Sequence, residues 1–316
     1  MRPGVLALVL AAACAASQEK PASPRPAAPW PPPAGPLKVV VDTDTANEID
    51  DQYALALLLG FPERFKLEGL VAAHFGKHGG PGGVEKSYKE ILEVLKRAGM
   101  EGKFAVRKGL PPFDRADWPT ASEGVDFIVE RARAATPADP LWLVLLGPAT
   151  DAVAALRKDP SIADRLVVFW HGRSQWPTKC LNFNADNDRQ AARLVFEMPC
   201  RFILFDTGAQ LRASLEETAR RFAPRGPLGA YLQEIRSRRK EYMTDKKGIF
   251  DLGDIAALID PACAPWERVQ APAVRDDMTY DFSRRNGEIV RISDVARDRA
   301  FDLLEESLKR IAGSGR

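Results

Sequence analysis

VVVDTDTANEIDDQYALALLLG, residues 39–60, sets Asp42, Asp44, Glu48, Asp50 and Asp51 within ten residues, between three valines and an apolar run. Two unit charges about 4 Å apart repel by roughly 4 kcal/mol at a surface-like dielectric, so such crowding needs a cation, a shared proton or open solvent. LKVVV predicts a buried strand, and IDDQYALALLLG a helix whose first turn carries Asp50 and Asp51. Acids in a first turn gain roughly 0.3–1 kcal/mol from the helix dipole, which accounts for one or two of them. It does not account for Asp42 and Asp44, two residues apart at the strand end and so directed to one side. A hard, oxygen-liganded cation, calcium before magnesium, accounts for the whole set.

Outward from this stretch, β-branched runs alternate with helical segments. LKVVVDTD, KLEGLVAAH, KFAVRKG, LWLVLLGP, RLVVFWHG and CRFILFDTG read as strands; GVEKSYKEILEVLKRAG and SEGVDFIVERARAA read as helices between them. The pattern predicts an α/β fold with an open, mostly parallel sheet and helices on both faces. MTYDFSRRNGEIVRI carries Asn286-Gly287 between alternating segments, a hairpin signal, before a closing helix near residues 294–312. The acids of the opening stretch then sit at a carboxyl strand end, where open α/β sheets bind ligands.

Residues 1–16 read as an export signal, Met1-Arg2 followed by an apolar run too short to span a bilayer. VLAAAC is similar to a lipobox with Cys14 as the lipidated residue, and plain secretion and lipid anchoring stand equally open. The expected location is periplasmic, extracellular or lipid-anchored at the envelope. Residues 17–36 are Pro/Ala-rich and read as an extended linker, which starts the folded domain, 37–316, at Leu37. A net charge of +2, with Lys and Arg mixed among Asp and Glu, gives no concentrated basic face for nucleic acid. Cys180, Cys200 and Cys263 show no metal-type spacing and read as buried thiols, with one disulfide left open.

The opening stretch resembles the N-terminal signature of the inosine/uridine-preferring nucleoside hydrolases, Asp-x-Asp-Pro-Gly-x-Asp-Asp followed by an apolar helix. Three further segments resemble that family in order: LLGPATDAVAAL (145–156) its Gly-Pro-Leu-Thr-Asn turn, NFNADNDRQAARLVF (182–196) its Glu-Phe-Asn segment, and GDIAAL (253–258) its His-Asp-x-x-Ala segment. The resemblance implies Ca2+ held by Asp44, Asp51, Asp254 and the Leu146 carbonyl, with Asp42 supporting from behind. It implies Asp50 on the ribose 2′- and 3′-hydroxyls, Asn184 near the sugar's 5′ side, and Asp44 as base for water attacking the anomeric carbon through an oxocarbenium-like transition state. The implied partner is a small ribosyl compound, and the chain is a candidate homo-oligomer. The other class of reading is an exported ribosyl-ligand binding or scaffold protein without turnover.

Departures from the family pattern fall on the leaving-group and 5′ sides. Two extra residues separate the second and third Asp, and Thr45-Ala46 replaces Pro-Gly. Gly253 stands where the family often has a proton-donating His, Asn182 where it has Glu, and Trp176 where an Asn is expected. Asn182 and Trp176 are therefore the candidate rebuilt substrate contacts, with Trp176 a stacking surface for a base. His171, then His74, are the candidate acids for the leaving group; both, like His78, follow strand ends. Asp188 reads as a helix cap.

Overall fold

The structure is a computed structural model that describes residues 25–113, 121–284 and 286–314. The segment read as an export signal, with Cys14, lies outside these residues. Eight strands form the main sheet: β1 (Leu37–Thr43), β2 (Phe65–Ala72), β3 (Val106–Lys108), β4 (Leu141–Leu145), β5 (Leu166–His171), β6 (Arg201–Phe205), β7 (Trp266–Gln270) and β8 (Glu288–Ile292). Their order is β3-β2-β1-β4-β5-β6-β8-β7, all parallel except the edge strand β7. Chain order reverses between β1 and β4, which opens a crevice at their carboxyl ends.

Alternation along β1 divides its valines between two cores. Val39 and Val41 face helices α1 (Asp50–Leu59), α2 (Gly83–Arg97), α7 (Leu252–Ile259) and α8 (Arg297–Ser314). Val40 faces α3 (Glu123–Ala134), α4 (Thr150–Lys158) and α6 (Arg189–Val195), the last preceded by the short helix α5 (Phe183–Asn187). Every residue of α1 is buried, so its apolar run is explained by cover on all sides rather than by an amphipathic stripe. Cys180, Cys200 and Cys263 are free and buried, as small apolar side chains.

Two expectations change. The segment before Leu37 is extended but is not a free linker: Ala28 and Trp30 join the core, with the Trp30 ring 5.9 Å from that of Phe169. Arg25 donates to the Phe196 carbonyl at 2.6 Å, and Arg64 donates to Gly35 O at 2.7 Å. Proline makes this tract extended, and its aromatic and aliphatic residues then make it adhesive. The closing hairpin is also wider than MTYDFSRRNGEIVRI suggests. EIVRI does form β8, but its antiparallel partner is β7, while Tyr280–Asp281 pairs back onto Ala273–Val274. Gly287, at φ +82°, still makes the turn into β8.

Candidate active site

A cavity of about 340 Å³ opens at the carboxyl ends of β1, β4 and β5. Asp44, Asp50, Asp51, Leu146, His171, Asn182, Asn184 and Asp251 all line it. Each arrives by its own element. Asp44 leaves β1; Asp50 and Asp51 open α1; Leu146 ends β4; His171 ends β5; Asn182 caps α5. Leu146 N donates to Asp42 O at 2.8 Å, which ties the ends of β4 and β1 and aligns the site's two walls.

The acids are held individually. Thr43 Oγ1 donates to Asp51 Oδ1, and Asn47 Nδ2 donates to Asp44 Oδ2 at 3.1 Å. Asn47 belongs to the segment that is longer than the family pattern, so the extra residues bring a donor to Asp44. Gly147 packs close beside it: a Cβ there would stand 3.2 Å from Asp44 Oδ1 and press on that side chain. The N–H of Phe250 donates to Asp50 Oδ2 at 3.3 Å. Glu48, at the mouth, is paired with Lys247.

Burial, reinforced by neighbouring carboxylates, raises the pKa of Asp44 well above the usual carboxylate range, with Asp51 the largest of these charges and Asp50 next. Asp51 is pushed up to about 7 by burial and then by Asp50. This is the cost of crowded acids without a cation. Oxygens of Asp50, Asp51 and Asp251 lie within 4.8 Å of one another, as do ligand atoms of His171, Asp251 and Asp254. Asp254 Oδ1 is buried and has no hydrogen-bond partner among the described residues. Hard oxygens, excess negative charge and an orphaned carboxylate oxygen fit a divalent ion of the calcium or magnesium type.

Asp251 is the residue that sequence reasoning missed. It opens the helix of GDIAAL three residues early and lines the cavity, where it meets Asp50 and Asp51. Asp254 sits one turn deeper, is wholly buried, and takes the Nδ1 side of His171 at 2.7 Å. Asp251 is thus the acid of this segment that lines the cavity, while Asp254, within ligand reach of Asp251 and His171, holds His171. The residue before Asp251 is Phe250, which lines the cavity. Gly253 faces apolar packing instead: a Cβ there would lie 2.7 Å from Phe205 Cζ and 2.8 Å from Leu211 Cδ1. The signal available in FDLGD was the first of its two acids.

The other candidates divide. His171 is buried at the cavity wall; burial opposes its charged form, but Asp254 outweighs it and the net pKa is raised. His74 is not at the cavity. It bonds Thr150 Oγ1 at 2.7 Å and accepts from Gly76 N, and burial pushes its pKa down to about 4. It is a neutral structural histidine, not an acid for the leaving group. Trp176 also lies away from the cavity, packed on Tyr280 and Phe282 with ring centroids at 5.0 and 5.3 Å, so it stacks on protein rather than on a base. The aromatic at the mouth is Phe183, 44% exposed and 5.0 Å from the ring of His78.

Asn184 reaches the cavity, and its Nδ2 donates to Leu146 O at 2.6 Å and His171 O at 3.1 Å, clamping two strand ends. A carbonyl has two lone pairs, so Leu146 O keeps one free. Asn182 Oδ1 accepts from Ala185 N as the α5 cap, and Asp188 caps α6 as read. Asp42 does not line the cavity. It is fully buried beside Asp151 and Asp51, with neither carboxylate oxygen partnered among the described residues.

The chain's residues 39–295 match the family model described as inosine-uridine preferring nucleoside hydrolase. Solved structures of the same fold include a plant nucleoside hydrolase (21% identity, TM-score 0.68, covering 87% of this chain and 99% of that one). A purine-preferring ribonucleoside hydrolase from Gardnerella vaginalis is 18% identical, with TM-score 0.69 and coverage of 87% and 99%. The type III effector protein XopQ, solved with adenosine diphosphate ribose, is 14% identical, with TM-score 0.64 and coverage of 89% and 95%. No match is found among curated proteins. With the acidic crevice at its topological switch point and a family match over most of its length, the chain belongs to the inosine-uridine preferring nucleoside hydrolase family.

Proposed function

We propose that this N-ribosyl hydrolase is calcium-dependent, is exported, and cleaves the N-glycosidic bond of a nucleoside or related ribosyl compound. The observation that carries the reading is the convergence of Asp50, Asp51 and Asp251, within 4.8 Å, on a cavity that also holds Asp44 and Leu146. Asp44, Asp51, Asp251 and the Leu146 carbonyl would hold the ion, which when bound supplies a Lewis acid that lowers the pKa of water. Asp44 takes a proton from the attacking water as its oxygen bonds to the anomeric carbon and the bond to the base breaks. Asp50 grips the 2′,3′-diol, aligned by the Phe250 N–H. Nearby carboxylates stabilise positive charge on the sugar.

On the leaving side, His171 is the acid. Asp254 fixes its ring and supports its charged form, and Phe183 at the mouth offers a face for the base. The contrasting reading, a ribosyl-ligand binder without turnover, draws on the same fold having been solved with adenosine diphosphate ribose in XopQ. Assays of inosine, uridine and p-nitrophenyl riboside, with wild type and Asp44→Asn, separate the two. A hydrolase releases ribose from at least one and loses this in Asp44→Asn; a binder gives a saturable ligand signal and no ribose.

A further inference from the structure

Arg173, two residues beyond β5, is the only lysine or arginine lining the cavity among the described residues. Its guanidinium carbon lies 4.2 Å over the centre of the Phe250 ring. Among the described residues it makes no hydrogen bond or ion pair, while the arginines around it are spent. Arg212, 5.3 Å over the same ring, donates to the carbonyls of Ala209 and Lys246, and Arg291 is bonded to Asp206 at 2.7 Å. The Arg173 guanidinium rests over this ring, and its five donors have no acceptor among the described residues. It forms no ion pair with the cavity's acids among the described residues, although the charge of Asp50 reaches it and supports its charged form.

Asn182 lines the same cavity. Its Oδ1 is turned to the α5 cap, accepting from Ala185 N at 2.6 Å, and its Nδ2 is buried without an acceptor among the described residues. The cavity thus offers an amide N–H and a guanidinium that no described residue satisfies. A nucleoside's hydroxyl or base oxygens accept from such donors singly, whereas a phosphoryl group supplies charged oxygens that match a guanidinium fork two at a time.

Resting on the hydrolase reading above, we infer that Arg173 and the Asn182 wall form an anion subsite, and that the substrate is a ribosyl compound phosphorylated on its 5′ side. Calorimetry of the full chain with calcium present tests this directly, titrating ribose 5-phosphate, ribose and inorganic phosphate. Ribose 5-phosphate is expected to bind about tenfold or more tightly than ribose. Arg173→Met should cut that preference to within about twofold, while Arg173→Lys keeps part of it by keeping the charge. In turnover, inosine 5′-monophosphate should have the higher kcat/KM than inosine, and the ratio should fall in Arg173→Met. Equal binding of ribose and ribose 5-phosphate, or a preference that survives in Arg173→Met, overturns the subsite. Inorganic phosphate binding as tightly as ribose 5-phosphate and independently of Arg173 overturns it too. An Arg173-dependent preference in a protein that cleaves no riboside would leave the subsite standing and remove the hydrolase reading instead.

Discussion

His171 Nδ1 and Asp254 Oδ2 stand 2.7 Å apart under the cavity wall, and Asp251 Oδ1 lies 3.4 Å from the same nitrogen. This pair gives His171 a fixed ring and a raised pKa, which suits a proton donor. His171→Ala is expected to slow inosine hydrolysis by about 10²-fold or more, the usual range for lost general-acid help. An activated riboside such as p-nitrophenyl riboside, whose leaving group needs no proton, should suffer much less. Steady-state rates on both substrates check this, and equal losses would remove His171 from the acid role.

Phe250 lines the cavity beside the candidate ligand Asp251. Phe250→His should raise the rate on inosine relative to p-nitrophenyl riboside. Gly253→His should instead destabilise the protein by about 1–3 kcal/mol or more, since a side chain there meets Phe205, Leu211 and Val295. Thermal melts beside the two rate measurements distinguish these outcomes.

Asp51 and Asp151, both pushed by burial to about 7, and Asp254, pushed to about 6, bind protons in the folded state that they release when unfolded. Stability contributed by protonation is present below these values and lost as pH rises through them. The metal-stripped protein should therefore melt at a lower temperature at pH 8 than at pH 6. His74 works oppositely: pushed down to about 4, it takes a proton more readily unfolded, so its contribution fades as pH falls from about 6.5 towards 4. Added calcium should raise the pH 8 midpoint most, because it replaces the missing protons with bound charge. Melting curves across pH 5 to 8, with and without calcium, test the signs.

The segment before Leu37 gives a prediction about length. Trp30→Ala removes a 5%-exposed indole from the core and is expected to cost about 3–5 kcal/mol. A chain beginning at Leu37 loses Arg25, Ala28 and Trp30 together and should be less stable still. Urea denaturation compares them with the full chain; a Leu37 start with unchanged midpoint would contradict the packing of this tract.

Much of this architecture was legible because burial in a parallel sheet writes itself as continuous valine and leucine runs. The six strand segments from LKVVVDTD to CRFILFDTG all appear. Less was legible where one local signal permits two long-range outcomes. The proline-rich tract announces extension but not adhesion, and Asn286-Gly287 announces a turn but not that β8 pairs across to Trp266–Gln270. In the site, Asp44, Asp50, Asp51, His171 and Asn184 reach one cavity. Asp251 and Asp254 could not be told apart from spacing, because only the packing of α7 decides which first-turn acid faces the crevice. His74 and Trp176 follow strand ends as His171 does, but Thr150 takes the first and Tyr280 and Phe282 the second.

A catalytic cation held by Asp51 and Asp251 is best probed by the rate of p-nitrophenyl riboside hydrolysis as calcium is titrated into chelator-treated protein, for wild type and Asp251→Ala. Saturable activation of the wild type is expected, with an activity loss in Asp251→Ala of at least about 10²-fold at any calcium concentration. Hydrolysis that is indifferent to calcium, or an Asp251→Ala protein activated as fully as wild type, would contradict it.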